Sequence, residues 1–274
     1  MSAGSGPSEA AAPGRSGLEP IDVGDGAVLG VTHLADVTAV LEVYVMDVYE
    51  CRTLPRGALV VDLGAGIGDF AVRASRQVGP DGRVIAVEPN PDDFEMLERN
   101  LRENGCRNAT AVQGVVTTRR GPVPITFKYR TFEARAISLE ELLASAGVTL
   151  GDARAGRVAL KVDIEGAEVD ALEELRPLVG LAESVAIELH GTLAPVDALL
   201  VPLGFRFHRL TRGAYLSRSF RFVVRHPRAG VRLWQRYRAL PGRTPVRKMV
   251  GGIDIAASER LRVGVYRRTL RAAR

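Results

Sequence analysis

The chain has 274 residues, 46% of them hydrophobic and 25% charged, with a formal net charge of +5. That is enough apolar material for one large α/β domain with appendages. Only two cysteines, Cys51 and Cys106, argue against a disulfide scaffold or a cysteine metal centre and for a reducing compartment. No stretch is long and apolar enough to span a bilayer.

Residues 1–17 are rich in Ala, Gly, Ser and Pro and lack the apolar core of a signal peptide, so residues 1–20 are expected to be a disordered lead and the protein cytoplasmic. Residues 21–56 read as a preamble. Residues 27–31 suit a short strand, and the apolar spacing at 37, 40, 41, 44, 45 and 48 is helical, with Asp36 as N-cap. Tyr44 and Tyr49 are expected in packing or support rather than against a ligand.

The expected main domain, 57–226, opens on an apolar strand at 58–62 that ends in Asp62 and runs into Gly64-Ala65-Gly66-Ile67-Gly68, followed by a helix near 68–78. Glycines at alternate positions allow backbone angles closed to other residues and let a ligand lie on bare backbone at a helix N-terminus. A second strand, 83–88, ends in Glu88, placed to accept hydrogen bonds from ribose hydroxyls. Asn90 caps and Pro91 starts a helix near 91–104. A third strand, 109–113, ends in Gln113. Residues 115–128 read as a hairpin or two short strands with a turn at Arg119-Arg120-Gly121-Pro122, and Ser138 with Glu141 forms a capping box. A strand at 157–163, a helix near 167–178, a strand at 184–189 and a helix near 194–202 follow. Residues 205–210 and 220–224 are expected to close the sheet as an antiparallel pair. Alternating strands and helices mean a doubly wound, mostly parallel, Rossmann-like α/β sheet, with its ligand at the carboxyl ends of the strands.

Charged residues gather at two of those ends: Lys161, Asp163, Glu165 and Glu168 after the fourth parallel strand, and Glu188 and His190 on the fifth. Buried carboxylates beside a lysine are costly unless they serve a ligand, a metal or one another. The plain alternative is that Glu168 opens a helix and Asp163 pairs with Lys161. Asp163, Glu165, Glu188 and His190 could together bind a divalent ion, the carboxylates offering the hard oxygens that suit magnesium, yet the spacing matches no metal motif and no metal is expected.

From residue 206 onward there are 19 basic residues against two acids, Asp254 and Glu259. The rest of the chain is correspondingly acidic, and the modest net charge hides this asymmetry. Residues 227–274 are expected to be a basic, helical extension, with amphipathic helices at 230–237 and 258–271. It would pack on the domain, touch an anionic membrane or bind RNA, in that order of preference.

Together the strings D-x-G-A-x-I-G-D-F from Asp62, V-x-x-V-E-P-N-P ending at Pro91, N-L-x-x-N-G from Asn100, K-V-D-I-E-G-A-E from Lys161 and E-L-H from Glu188 resemble the FkbM family of class I S-adenosylmethionine-dependent methyltransferases, over roughly residues 35–210. Gly66 stands where many members have Asn. The resemblance implies an O-methyltransferase using S-adenosyl-L-methionine on a hydroxyl of a sugar, glycan or other natural product. It assigns Asp62, Gly64, Ala65, Gly66 and Gly68 to the methionine end of the cofactor, Glu88 to the ribose, and Pro89, Asn90 and Gln113 to the adenine. Asp163 and Glu165 would face the methyl-transfer centre, with Lys161 among the catalytic residues. Asp163, Glu165 and His190 are the candidate bases for a poorly nucleophilic hydroxyl. Asp163-Ile164-Glu165-Gly166 carries no aromatic to stack a base, which argues against base methylation but leaves RNA 2′-hydroxyl methylation as the rival function. A cofactor-binding domain that has lost catalysis is the third reading. The sequence leaves oligomeric state open.

Overall fold

The computed structural model describes residues 19–33, 36–127, 130–239 and 261–268. The expected disordered lead lies outside these, apart from its last two residues. A short antiparallel pair, β1 (Ile21–Asp22) and β2 (Val28–Leu29), precedes α1 (Asp36–Val40), which continues as a π-helical turn over Leu41–Met46. The alternating part then runs β3 (Leu59–Leu63), α2 (Asp69–Val78), β4 (Arg83–Glu88), α3 (Pro91–Glu103) and β5 (Ala109–Gln113). Next come β6 (Val115–Val116), β7 (Pro122–Phe127) and β8 (Arg130–Ile137), which form a small separate sheet. The chain continues with α4 (Leu139–Ser145), α5 (Leu150–Ala155), β9 (Val158–Val162), α6 (Glu168–Glu174), α7 (Arg176–Val179), β10 (Ser184–His190) and α8 (Leu193–Leu200). Last are β11 (Phe205–Arg209), α9 (Arg212–Arg225), α10 (Pro227–Ala239) and β12 (Leu261–Arg268).

Seven strands form the main sheet in the order β11-β12-β10-β9-β3-β4-β5. The pairs from β10 through β5 are parallel, and β12 alone is antiparallel to both neighbours. The doubly wound α/β architecture is therefore as expected. Strand alternation builds a core on each face of the sheet. Val60, Val84, Ala86, Ala159 and Val265 meet α1, α2, α3, α9 and α10, while Val61, Ile85, Val87, Leu160 and Ile187 meet the helices between α4 and α8. Phe70 on α2 is 2% exposed, and its truncation to Ala would cost about 3–5 kcal/mol.

Three expectations are corrected. Residues 220–224 lie inside α9, because Phe222 packs in the core one helical face away from the rest of that run. The antiparallel partner of β11 is β12 instead, pairing Phe205 with Arg268 through Arg209 with Gly264. The expected basic helix at 258–271 is thus a strand over Leu261–Arg268, and the sheet reaches beyond residue 226. Val263, Gly264, Val265 and Tyr266 are buried in succession, so both faces of this strand are covered, whereas four successive residues of an amphipathic helix would turn one to solvent. Of the two readings of 115–128, the two short strands hold: β6 and β7 flank residues 117–121 and each pairs with β8 rather than with the other. The remaining tail residues lie outside those described.

The basic helices are tied to the acidic start of the chain. Arg218 donates to Glu50 Oε1 and the Asp47 carbonyl, Arg232 pairs with Asp22, and Arg236 pairs with Glu19. Arg267 on β12 reaches the other oxygen of Glu50.

Candidate functional site

Strand order reverses between β3 and β9, so the loops leaving these strands lie side by side at the carboxyl edge, where doubly wound sheets bind ligands. The amides of Gly64 and Ala65 both donate to the Val87 carbonyl (3.0 and 2.9 Å), and the amide of Asp163 donates to Leu63 O (3.1 Å). Gly64 is required by this approach: a Cβ there would sit 1.8 Å from the Asp163 carbonyl oxygen, with φ at +74°. Gly66, at φ +51°, is different, since among the described residues a Cβ on it would meet nothing within 4 Å. Bare backbone therefore faces open space just before α2, whose N-cap is Gly68. Ala65 is buried.

Glu88, at the tip of β4, stands beside that space. Its Oε2 accepts from the Gly66 amide and its Oε1 from the Asn90 amide, both at 2.8 Å. Burial pushes its carboxyl up to about 7 against those two donors. Both oxygens keep acceptor capacity. Pro89 and Asn90 are half-buried, and Asn90 Oδ1 caps α3 through the Asp92 amide (3.0 Å). Gln113 pairs in register with Glu88 across β4 and β5 and is exposed.

Asp62 and Lys161 lie under the loop. Asp62 is fully buried, with Oδ1 3.2 Å from Lys161 Nζ. Lys161, 4% exposed, donates to Gly64 O at 2.6 Å and lies 3.8 Å from Asp163 Oδ2. Burial would lower the ammonium pKa, but Asp62, Asp163 and Asp69 overcome it and hold it above the ordinary lysine value. Lys161 is a fixed positive pin between the two loops, and it acts through them.

The second set of groups lies at the ends of β9 and β10. Tyr49 donates to Asp163 Oδ2 (2.9 Å) and lies 3.3 Å from Glu188 Oε2. Burial and the nearby Asp163 charge push Glu188 up to about 7. His190 Nδ1 is 2.7 Å from Glu168 Oε1, which fixes the ring and turns Nε2 toward Glu165, 3.5 Å away. The bond to Glu168, helped by Glu188 and Glu165, raises His190 to about 9. Glu168 has no exposed surface and also accepts from Thr192 Oγ1 and the Gly166 amide. Burial opposes its ionisation, yet His190 and these donors hold it below the ordinary glutamate value. Glu165, with φ +50°, is mostly exposed at the rim and not enclosed with Asp163. Ligand atoms of Asp163, Glu188 and His190 lie within 4.8 Å of one another.

The structure thus brings Asp62, Lys161, Asp163, Glu188 and His190 together near the glycine loop and leaves Glu165 at the rim, paired with His190 alone among the described residues. It gives Tyr49, expected in packing or support, and Glu168, expected to open a helix, specific partners, and it adds Glu42, which sequence reasoning passed over. Tyr49 bridges two acids from the preamble. Glu168 orients the histidine in addition to opening α6. Glu42, on the π-helical turn, is raised well above an ordinary glutamate by burial and by Glu188, Asp163 and Asp69. Only Glu168 had a sequence signal for the site, its place in the acidic string after β9.

Residues 33–119 match the family described as the TRM5/TYW2 methyltransferase domain. Methyltransferase sdnD of Sordaria araneosa is 30% identical over 145 residues, covering 50% of this chain and 55% of that protein. Methyltransferase 1 of Beauveria bassiana is 24% identical over 196 residues, 60% of this chain and 78% of that protein. The crystal structure of methyltransferase FkbM from Methylobacillus flagellatus aligns with a TM-score of 0.43 at 18% identity, over 67% of this chain and 52% of that one. The chain spans about half the length of the first curated relative it matches, and less of several others.

Proposed function

We propose that this protein is an S-adenosyl-L-methionine-dependent O-methyltransferase whose acceptor is a hydroxyl on a sugar, glycan or other natural product. One observation carries the reading: a glycine loop and a buried strand-end acid lie at the reversal of strand order, beside a histidine–carboxylate group at the next two strand ends. The match of residues 33–119 to a methyltransferase domain supports the methyl-transfer part of this reading and not the choice of acceptor.

The residues present fit the cofactor. Gly66 offers uncovered backbone at the start of α2, and Glu88 borders that space with a buried carboxylate suited to two ribose hydroxyls. Asp62 and Lys161 brace the loop from below, while Gly64 lets it pass against Asp163. Bound there, the cofactor supplies a methyl group on a positively charged sulfur.

The chain's own groups would do the rest. Glu188, pushed to about 7 beside Asp163, is matched to taking a hydroxyl proton near neutral pH. Tyr49 holds the two carboxylates in one arrangement. His190, kept protonated by Glu168, balances their charge. Preorganised charge of this kind aligns an acceptor without reorganisation during the reaction.

The test is transfer of labelled methyl to hydroxylated small molecules and oligosaccharides, set against RNA. Turnover on the former, abolished in Asp163→Ala with cofactor affinity nearly unchanged, is the expected result. Turnover on RNA alone would move the assignment to the 2′-hydroxyl, and equal loss of affinity and turnover in Asp163→Ala would remove its role.

A further inference from the structure

The α9–α10 hairpin is apolar on two faces. One is buried: Tyr215, Phe222, Ala229, Leu233 and Tyr237 pack in the core. The other faces water. Leu216, Phe220, Val223 and Val224 recur at the i, i+4, i+7, i+8 spacing of a single helix face, and Phe220 is 71% and Val224 62% exposed. Val231 and Trp234 on α10 are about half exposed. Scattered exposed hydrophobes need no explanation, but six on two consecutive helices form a patch.

Arginines fringe it. Residues 212–239 hold eight arginines and no acid. Three of them, Arg218, Arg232 and Arg236, are paired with Glu50, Asp22 and Glu19 near the start of the chain. Arg221, Arg225 and Arg228 are exposed. Arg238 stacks over the Trp234 ring, 4.6 Å from its centre. Between the hairpin and the π-helical turn lies a cavity of about 180 Å³ lined by Leu41, Val45, Met46, Phe222 and Leu233. Leu216, Val223 and Trp234 line it too and are themselves exposed, so its mouth opens within the patch.

We propose that this face docks on an anionic phospholipid bilayer, with Phe220, Val224 and Trp234 entering the interface and the arginines meeting lipid phosphates. Basic helices with an apolar aromatic face lie in the headgroup plane in this way. Charge excludes the nearer alternatives. A second copy would bring arginine fringe against arginine fringe. The chain between residues 240 and 260 has four basic residues and two acids, so it repeats the sign of the face rather than complementing it. RNA would satisfy the arginines and leave the apolar stripe in water. The proposal is independent of the reaction proposed above.

Trp234 is the single tryptophan, so its fluorescence reports from the patch itself. The full chain is titrated with vesicles of phosphatidylcholine alone and of phosphatidylcholine with about 30 mol% phosphatidylglycerol, an anionic fraction that creates an attractive surface potential. The expected result is a blue shift and co-sedimentation with the anionic vesicles only, weakened by salt. Phe220→Asp with Val224→Asp should bind at least tenfold more weakly at unchanged melting temperature, since both side chains are exposed; Arg221→Glu with Arg225→Glu, which spares the stripe, should also weaken binding. No shift with anionic vesicles would overturn the proposal. So would self-association that alone accounts for the shift, or RNA binding that anionic vesicles do not compete away.

Discussion

His190 Nδ1 and Glu168 Oε1 lie 2.7 Å apart, the one at the end of β10 and the other at the start of α6. A fully buried carboxylate thereby sets both the orientation and the charge of the imidazole. Glu168→Gln should move the His190 titration from about 9 down toward the ordinary value near 6.5. Because the folded value is the raised one, the pair's stabilisation is fully present below about pH 6.5 and is lost as pH rises through about 9. After allowance for partial exposure it amounts to about 1–2 kcal/mol. Histidine NMR titration and denaturant midpoints between pH 6 and 10 check both; an unmoved imidazole titration in the variant would contradict this.

Tyr49→Phe removes the hydroxyl between Asp163 and Glu188 and leaves the ring against Phe70, an edge contact at 5.9 Å. Turnover should fall about 10–100-fold, in line with a lost positioning bond, while cofactor affinity stays within about twofold. Affinity falling in step with turnover would place Tyr49 in cofactor binding instead.

Gly64 and Gly66 should separate structure from binding. Gly64→Ala drives a Cβ into the Asp163 carbonyl and should destabilise the protein by more than about 3 kcal/mol. Gly66→Ala meets no atom of the described residues and carries only the strain of positive φ, about 1 kcal/mol, yet places a methyl where the ligand backbone contact is expected. Thermal melts and cofactor titration should therefore rank the two variants in opposite order.

Lys161→Met leaves Asp62 buried without its counter-charge. Stripping one partner from a buried pair costs about 3–5 kcal/mol, and Asp62→Asn in the same chain should restore part of it. Equal stability of the two single variants and the double would remove the pin.

Much of the fold was legible because its signals are local. Gly64, Gly66 and Gly68 follow an apolar strand, Asn90 and Pro91 open α3 as written, and the Ser138–Glu141 capping box forms. What failed was non-local. The Phe220-Arg221-Phe222-Val223-Val224 run has strand propensity, but core packing of Phe222 and Tyr215 holds it in a helix. Strand β12 is flanked by arginines and pairs with β10, some 77 residues upstream in register, so nothing nearby announces it. At the site, strand-end acids were readable from the rule that ligands gather there. Tyr49 was readable as a supporting residue, but its partner was not, because the residue it bonds is 114 positions away.

The central claim, a cofactor held by the glycine loop and Glu88, is tested most directly by calorimetric titration of S-adenosylhomocysteine into the wild type and Glu88→Ala. The account expects micromolar binding in the wild type and at least tenfold weaker binding in the variant, with its fold retained. Absence of binding in the wild type, or equal binding in both, would contradict it.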